Sequence, residues 1–279
     1  MDHTRKALPK PKTYEGLSAY RPPLCFELVG KTYELVMDNG YDYELKFIDR
    51  KRLVFGRGDE AGGEYEYDCL KADDDTYFVN FEVTGADPRT GTAIVLDMEQ
   101  GLTTWVVSKE GLNPKMPTLP STEIIFGAIR REDGSVSAVR HGYTAEMVGR
   151  AIEWNYRGMS VIHVYSSEHY YRPMLPEKYK DHPEIDPFYG TGKFAEEPSS
   201  YVKIKDGVFL FTFVESDMAK LTGHGNMMCF LMNLNRLHDV GCSFGHNGEG
   251  ARENYTFGAI GTYVDPGTMA SRNSVSYIR

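Results

Sequence analysis

A tryptophan, two tyrosines, a histidine and a glutamate in the second half of the chain have the types and spacing to line one pocket. Trp154 and Tyr156 stand two residues apart, as do His163 and Tyr165, so on extended backbone each pair shares a face. Glu215 ends the run Phe211 to Val214. Together they would supply aromatic walls, hydrogen-bonding groups and a titratable pair. A buried glutamate is raised in pKa and a histidine titrates near neutrality, so either can move protons. Tyr156, His163 and Glu215 are the catalytic candidates if the chain is an enzyme. Trp154, Tyr156, His163, Tyr165 and Glu215 are the candidate ligand contacts, with Tyr43, Glu64 and Glu82 as their counterparts in the first half. Interior carboxylates suit a cationic or hydroxyl-rich ligand better than an anionic one.

Strands must position these residues. Period-2, β-rich runs fill the first half: Thr32 to Met37, Tyr41 to Ile48 after an Asp-Asn-Gly turn, Arg52 to Phe55, Glu64 to Leu70, Tyr77 to Thr84, Ala93 to Asp97, Thr103 to Ser108 and Glu123 to Ile129. Helical patterns are scarce, with short pieces near Glu146 and over Glu177 to Lys180. Many short strands with glycine turns indicate an all-β sandwich or barrel. The chain also repeats itself. Leu28-Val29-Gly30-Lys31 is answered by Met147-Val148-Gly149-Arg150 at an offset of about 119 residues. Tyr77 to Glu82 is answered by Phe209 to Glu215, and Ile94 to Glu99 by Cys229 to Leu234. Two halves of this size can each close an antiparallel barrel of about eight strands with room for one small ligand. The expected organisation is a flexible arm over residues 1–24, a first barrel over 25–142 and a second over 143–279.

Composition narrows the function. The chain of 279 residues has 40 acidic and 31 basic side chains, a formal charge of −9, and 19 Tyr with 14 Phe. Such aromatic content supports a packed core and excludes disorder for the bulk of the chain. The acidic balance argues against nucleic acid, whose binding rests on phosphate neutralisation. The longest apolar run, Met227 to Met232, is too short to span a membrane as a helix. Met1 to Pro23 lacks the apolar segment of a signal peptide, and the four cysteines (Cys25, Cys69, Cys229, Cys242) read as reduced thiols, which together indicate a cytoplasmic protein. Gly241 to Gly245 matches a nucleophile-elbow pattern, but the glycine-rich continuation cannot form the helix that the motif needs. His163, Glu168 and His169 are close in sequence; on a strand His163 and His169 would face opposite sides, so no metal is expected. No cofactor motif is present. The expected partner is a small aromatic molecule, and self-association of the chain is left open.

The order Val148-Gly149-Arg150, Trp154-Asn155-Tyr156, Ile162-His163-Val164-Tyr165, Phe209 to Glu215 and Phe244-Gly245-His246 resembles the MoaF family. Leu28 to Lys31 and Ala93 to Asp97 fit that family's first domain. The resemblance implies two lipocalin-like (calycin) barrels in tandem. It brings the family's label of molybdenum cofactor biosynthesis and an association with bacterial monoamine metabolism, which suits an acidic cavity. The first half is also similar to phenolic acid decarboxylases, single lipocalin-like barrels acting without cofactor. Lys31 to Phe47 matches their opening hairpin, and Phe81-Glu82 the strand bearing their catalytic glutamate. Their paired tyrosines fall on Leu35 and Met37, and their carboxylate-binding arginine falls near Glu64; in the second half the tyrosine positions fall on Trp154 and Tyr156. That similarity implies ligand contacts at Tyr43 and Glu82 rather than decarboxylation. The functional expectation is a barrel that binds a phenolic or amine-bearing aromatic molecule, with a cofactor-independent lyase, isomerase or hydratase as the alternative.

Overall fold

The computed structural model describes residues 17, 19–58, 60–156, 159–174, 176 and 196–265. Eight antiparallel strands close the first barrel: β1 (Thr32–Met37), β2 (Asp42–Phe47), β3 (Arg52–Arg57), β4 (Gly63–Lys71), β5 (Thr76–Val83), β6 (Thr90–Asp97), β7 (Leu102–Lys109) and β8 (Ser121–Ile129). All eight runs expected from the period-2 pattern are strands, and β8 returns to pair with β1. After the two-residue β9 (Gly142–Tyr143) the second barrel follows: β10 (Ala151–Asn155), β11 (Ser160–Val164), β12 (Tyr170–Met174), β13 (Glu197–Lys205), β14 (Val208–Val214), β15 (Asn226–Asn233), β16 (His238–His246) and β17 (Arg252–Tyr263). The β10–β17 and β12–β13 pairings close it, and β9 adds to the outer edge of β13. One helix, α1 (Ser216–Thr222), follows β14 and ends on Gly223 in the left-handed region. No helix among the described residues is long and apolar enough to cross a membrane.

The repeat is the same local structure made twice. Gly30 and Gly149 adopt φ of +82° and +84°, which only glycine takes without strain. Gly30 N–H donates to Phe47 O and Gly149 N–H to Tyr165 O, each at 2.8 Å, so both turns lead the first strand in against the end of the second. Leu28 and Met147, two residues before each glycine, are buried in the cores of their own barrels. The turn at Gly149 occupies the place near Glu146 where a short helix was expected; the piece at Glu177 to Lys180 lies outside the described residues.

Three large cores hold most of the buried side chains, and a small fourth cluster joins Ala151 and Ile162. The interior of the first barrel holds residues such as Leu35, Phe47, Val79, Phe81 and Ile94, and that of the second holds Trp154, Tyr165, Phe211, Phe230 and Phe257. A further core lies between the barrels, where Leu70, Phe78, Val95 and Val106 meet Val202, Leu210, Leu231, Val240 and Phe244. Alternation explains it: in β15, Met228, Phe230 and Met232 point into the barrel while Met227, Cys229 and Leu231 point at the other barrel. The arm expected over residues 1–24 is described only at Leu17 and 19–24, and there it packs. Leu17 lies against the second barrel's core and Leu24 against the shared one, while Arg21 donates to Asp68 and Thr256 across the two barrels.

Candidate functional site

The expected residues of the second half all lie inside the second barrel. On β10 and the residue beyond it, Trp154 and Tyr156 both point inward and are buried. Trp154 Nε1 donates to the Tyr165 hydroxyl at 3.1 Å, and that hydroxyl in turn donates to the Met232 sulfur at 3.1 Å. His163 is walled by rings: Tyr171 at 5.2 Å, Phe230 at 5.4 Å and Phe211 at 5.6 Å between centroids. Nδ1 makes no hydrogen bond among the described residues, and burial lowers the pKa to about 3. His163 is therefore a neutral imidazole at physiological pH, and no hydrogen bond links it to Tyr156 or Glu215. Glu168 and His169 are exposed on the β11–β12 turn, so the three residues weighed for a metal do not converge. Among the described residues no group of three or more His, Cys, Asp or Glu is placed to hold a metal.

Glu215 heads a different constellation. Ser199 opposes Phe213 in the β13–β14 ladder, so the next inward pair along it is Glu197 and Glu215. Glu215 N–H donates to Asn226 O at 2.9 Å; Asn226 opposes Gly245, and Gly245 opposes Glu253. On the other side Tyr171 opposes Glu197. One row of cross-strand partners thus runs Tyr171, Glu197, Glu215, Asn226, Gly245, Glu253 around one end of the barrel. The row behind it presents Phe213, Met228, Ser243 and Tyr255. Helix α1 starts at this row, where Ser216 donates to Glu197 Oε2 through its backbone N–H (2.9 Å) and its hydroxyl (2.5 Å).

A neighbouring carboxylate and burial both favour the protonated form of a carboxyl group. Burial, with Glu197 alongside, raises Glu215 to about 7, and burial raises Glu253 to about 7. Asn226 Nδ2 donates to Glu253 Oε2 at 3.0 Å, while its side-chain amide oxygen Oδ1 is buried with no hydrogen-bond partner among the described residues. Burial, and then the charges of Glu215 and Glu197, hold the Tyr171 hydroxyl well above its ordinary pKa. Deeper inside, Asp239 accepts from Ala259 N–H at 2.7 Å, burial raises its pKa well above the ordinary carboxylate value, and Oδ2 has no hydrogen-bond partner among the described residues. Glu197, Glu253 and Asp239 escaped the sequence reading, although alternation through Glu253, Tyr255 and Phe257 carries the signal.

Two candidates of the first half face outward. Glu64 shares the outer face of β4 with Leu70 and is exposed, paired to Arg52 at 3.0 Å. Glu82 lies on the outer face of β5 with Phe78, and Arg89 holds both its oxygens at 2.8 and 2.7 Å. It therefore cannot take the interior role that the decarboxylase similarity gives it. Parity is the cause. Phe81 and Phe213 both point inward; Glu82 follows Phe81 by one residue and Glu215 follows Phe213 by two, and a one-residue difference reverses the face. Tyr43 does face inward, stacked on Phe55 at 5.4 Å and edge-on to Trp105 at 5.0 Å. The Gly241 to Gly245 pattern is a stretch of β16, with Ser243 on a strand and no elbow.

Fold and interior together define a tandem antiparallel β-barrel protein whose second barrel carries an acid-lined end. Residues 13–111 match the family model described as the MoaF N-terminal domain, so the resemblance to the MoaF family is supported over a stretch that takes in β1 to β7. No curated protein gives a significant match to the chain.

Proposed function

We propose that the chain binds a small aromatic molecule bearing an amine or hydroxyl group at the acid-lined end of the second barrel. The row Glu197, Glu215 and Glu253 carries the reading: hydrogen-bond acceptors converge beside Tyr171, Phe213, Met228 and Tyr255, a surface that suits an aromatic ring. An ammonium would relieve the repulsion of Glu197 on Glu215 and draw Glu215 into its ionised form. Titration calorimetry with tyramine and with 4-hydroxyphenylacetate, on the wild type and on Glu215→Gln, is the test. The expected result is tyramine binding that weakens about tenfold in the variant, the size of one charge-assisted hydrogen bond. An unchanged tyramine isotherm, or displacement of tyramine by the acid, overturns the reading.

Glu215 at about 7 also favours a second reading, a cofactor-independent lyase, isomerase or hydratase. A carboxyl half-protonated at neutral pH can both donate and accept a proton. In that case the acid–base role falls to Glu215 rather than to His163 or Tyr156, and Glu215→Gln retains binding but loses turnover.

A further inference from the structure

The first barrel has its own unsatisfied interior. At the end where β7 leaves and β8 enters, Tyr43, Phe55, Tyr65, Phe81 and Trp105 form a continuous set of ring contacts, each 5.0 to 5.4 Å between centroids. Two polar atoms beside them have no hydrogen-bond partner among the described residues: Trp105 Nε1 and Thr92 Oγ1, in residues 9% and 2% exposed. Thr92 opposes Val107 and Trp105 opposes Ile94, so the two side chains are diagonal neighbours on the inner face of β6 and β7. Leaving both buried and unpaired costs free energy that a hydrogen-bonding ligand would recover. Solvent reaches this end of the interior: Phe55, Trp105, Val107 and Ile125 keep 6 to 9% exposure, whereas Leu45, Phe47, Leu53 and Val79 of the same barrel keep none.

We propose that the first barrel holds a second ligand site, for an aromatic molecule that carries a hydrogen-bond acceptor such as an aryl ketone, amide or carboxylate. An indole N–H only donates, and a threonine hydroxyl donates once, so two donors converge on one place. The polar end of the ligand must be an acceptor, opposite in kind to the donors that suit the acid-lined end of the second barrel. The flat rings beside them take its aromatic body. Arg57, which faces inward opposite Tyr43 and stacks on Tyr41 at 3.5 Å, places a cation at the rim.

The chain offers its own reporter, because its two tryptophans are Trp105 and Trp154. In the full-length Trp154→Phe variant all indole emission comes from Trp105. Titration with acetophenone is expected to shift that emission saturably, with ethylbenzene, the same shape without the acceptor, binding about tenfold more weakly. Thr92→Val is expected to remove most of that difference. The same titration on wild type, followed by calorimetry, covers the case in which Trp154→Phe does not fold. No saturable response to acetophenone up to its solubility, or equal affinity for the two probes, overturns the proposal. Glu215→Gln leaves this signal intact, so the two sites fail or stand separately.

Discussion

Replacing Arg89 with methionine removes one charge from the seam between the barrels and keeps most of the side chain's length. Arg89 grips both oxygens of Glu82 and reaches Glu110 at 3.1 Å. From the second barrel it takes the carbonyls of Gly245 (2.9 Å) and Glu253 (3.0 Å), and it lies 4.3 Å over the Phe244 ring. The side chains of Arg89 and Glu110 are 11% and 9% exposed, so Glu110 would be left largely desolvated with only the His246 ring, 2.8 Å away, beside it. Removing one partner of a buried pair costs about 3–5 kcal/mol. Methionine keeps the apolar contact with Phe244, and Glu82 is partly exposed, so the lower figure of about 3 kcal/mol is expected. At about 2–4 °C per kcal/mol the melting temperature should fall by roughly 6–12 °C. Urea unfolding followed by tyrosine and tryptophan emission measures it. Both barrels should melt in one transition, because they share a core. A loss below about 1 kcal/mol would refute the assignment of Arg89 as the seam's main polar anchor, and two separated transitions would refute the shared core.

Glu215 predicts a pH dependence. Its carboxyl holds its proton more tightly folded than unfolded, so its contribution is fully present below its ordinary 4.5 and is lost as pH rises through about 7. Glu215→Gln should match wild type near pH 4 and exceed it near pH 8 by up to roughly 3 kcal/mol; an equal difference at both pH values refutes this. Cys25, half-buried, accepts a hydrogen bond from Cys69 that lowers its pKa to about 6. Iodoacetamide followed by peptide mass mapping should modify Cys25 well before the buried Cys69, Cys229 and Cys242. A Cβ at Gly91 would overlap the Phe244 ring across the seam. Gly91→Ala should cost about 1–3 kcal/mol in urea unfolding, and a neutral result would show that the seam can widen.

Much of this architecture was legible because the strands of the first barrel are β-rich runs set between turn residues, with alternation plain in β1 to β4. The repeat at Gly30 and Gly149 was legible because a left-handed turn admits few residues other than glycine. Two things were hidden. Facing is lost wherever both sides of a strand are apolar: in Phe209 to Val214 or Met227 to Met232 period 2 vanishes, since each face packs on a different core. Glu82 and Glu64 were misassigned for the related reason that parity within a strand has to be counted from a residue of known facing. Helix α1 was missed because its seven residues owe their start to Glu197, which lies 19 positions away from Ser216. The acid row is likewise assembled from separate strands, its carboxylates coming from β13, the end of β14 and β17, and could be seen only once the barrel brought them together.

The shared core has a bearing on ancestry. Ile124 and Phe126 of β8 pack against it, and its fully buried side chains come chiefly from β4 to β7 on the first barrel and from β13 to β16 on the second. These are the fourth to seventh strands of each barrel, so both halves offer the same face to one another. A two-fold homodimer likewise meets through one shared patch, each copy using it against itself. The tandem chain has the form of such a dimer with its two copies joined end to end. Joining releases the copies from having to remain identical, and the divergence is visible in the interiors: one barrel keeps unpaired donors among its rings, while the other has gathered carboxylates at its mouth.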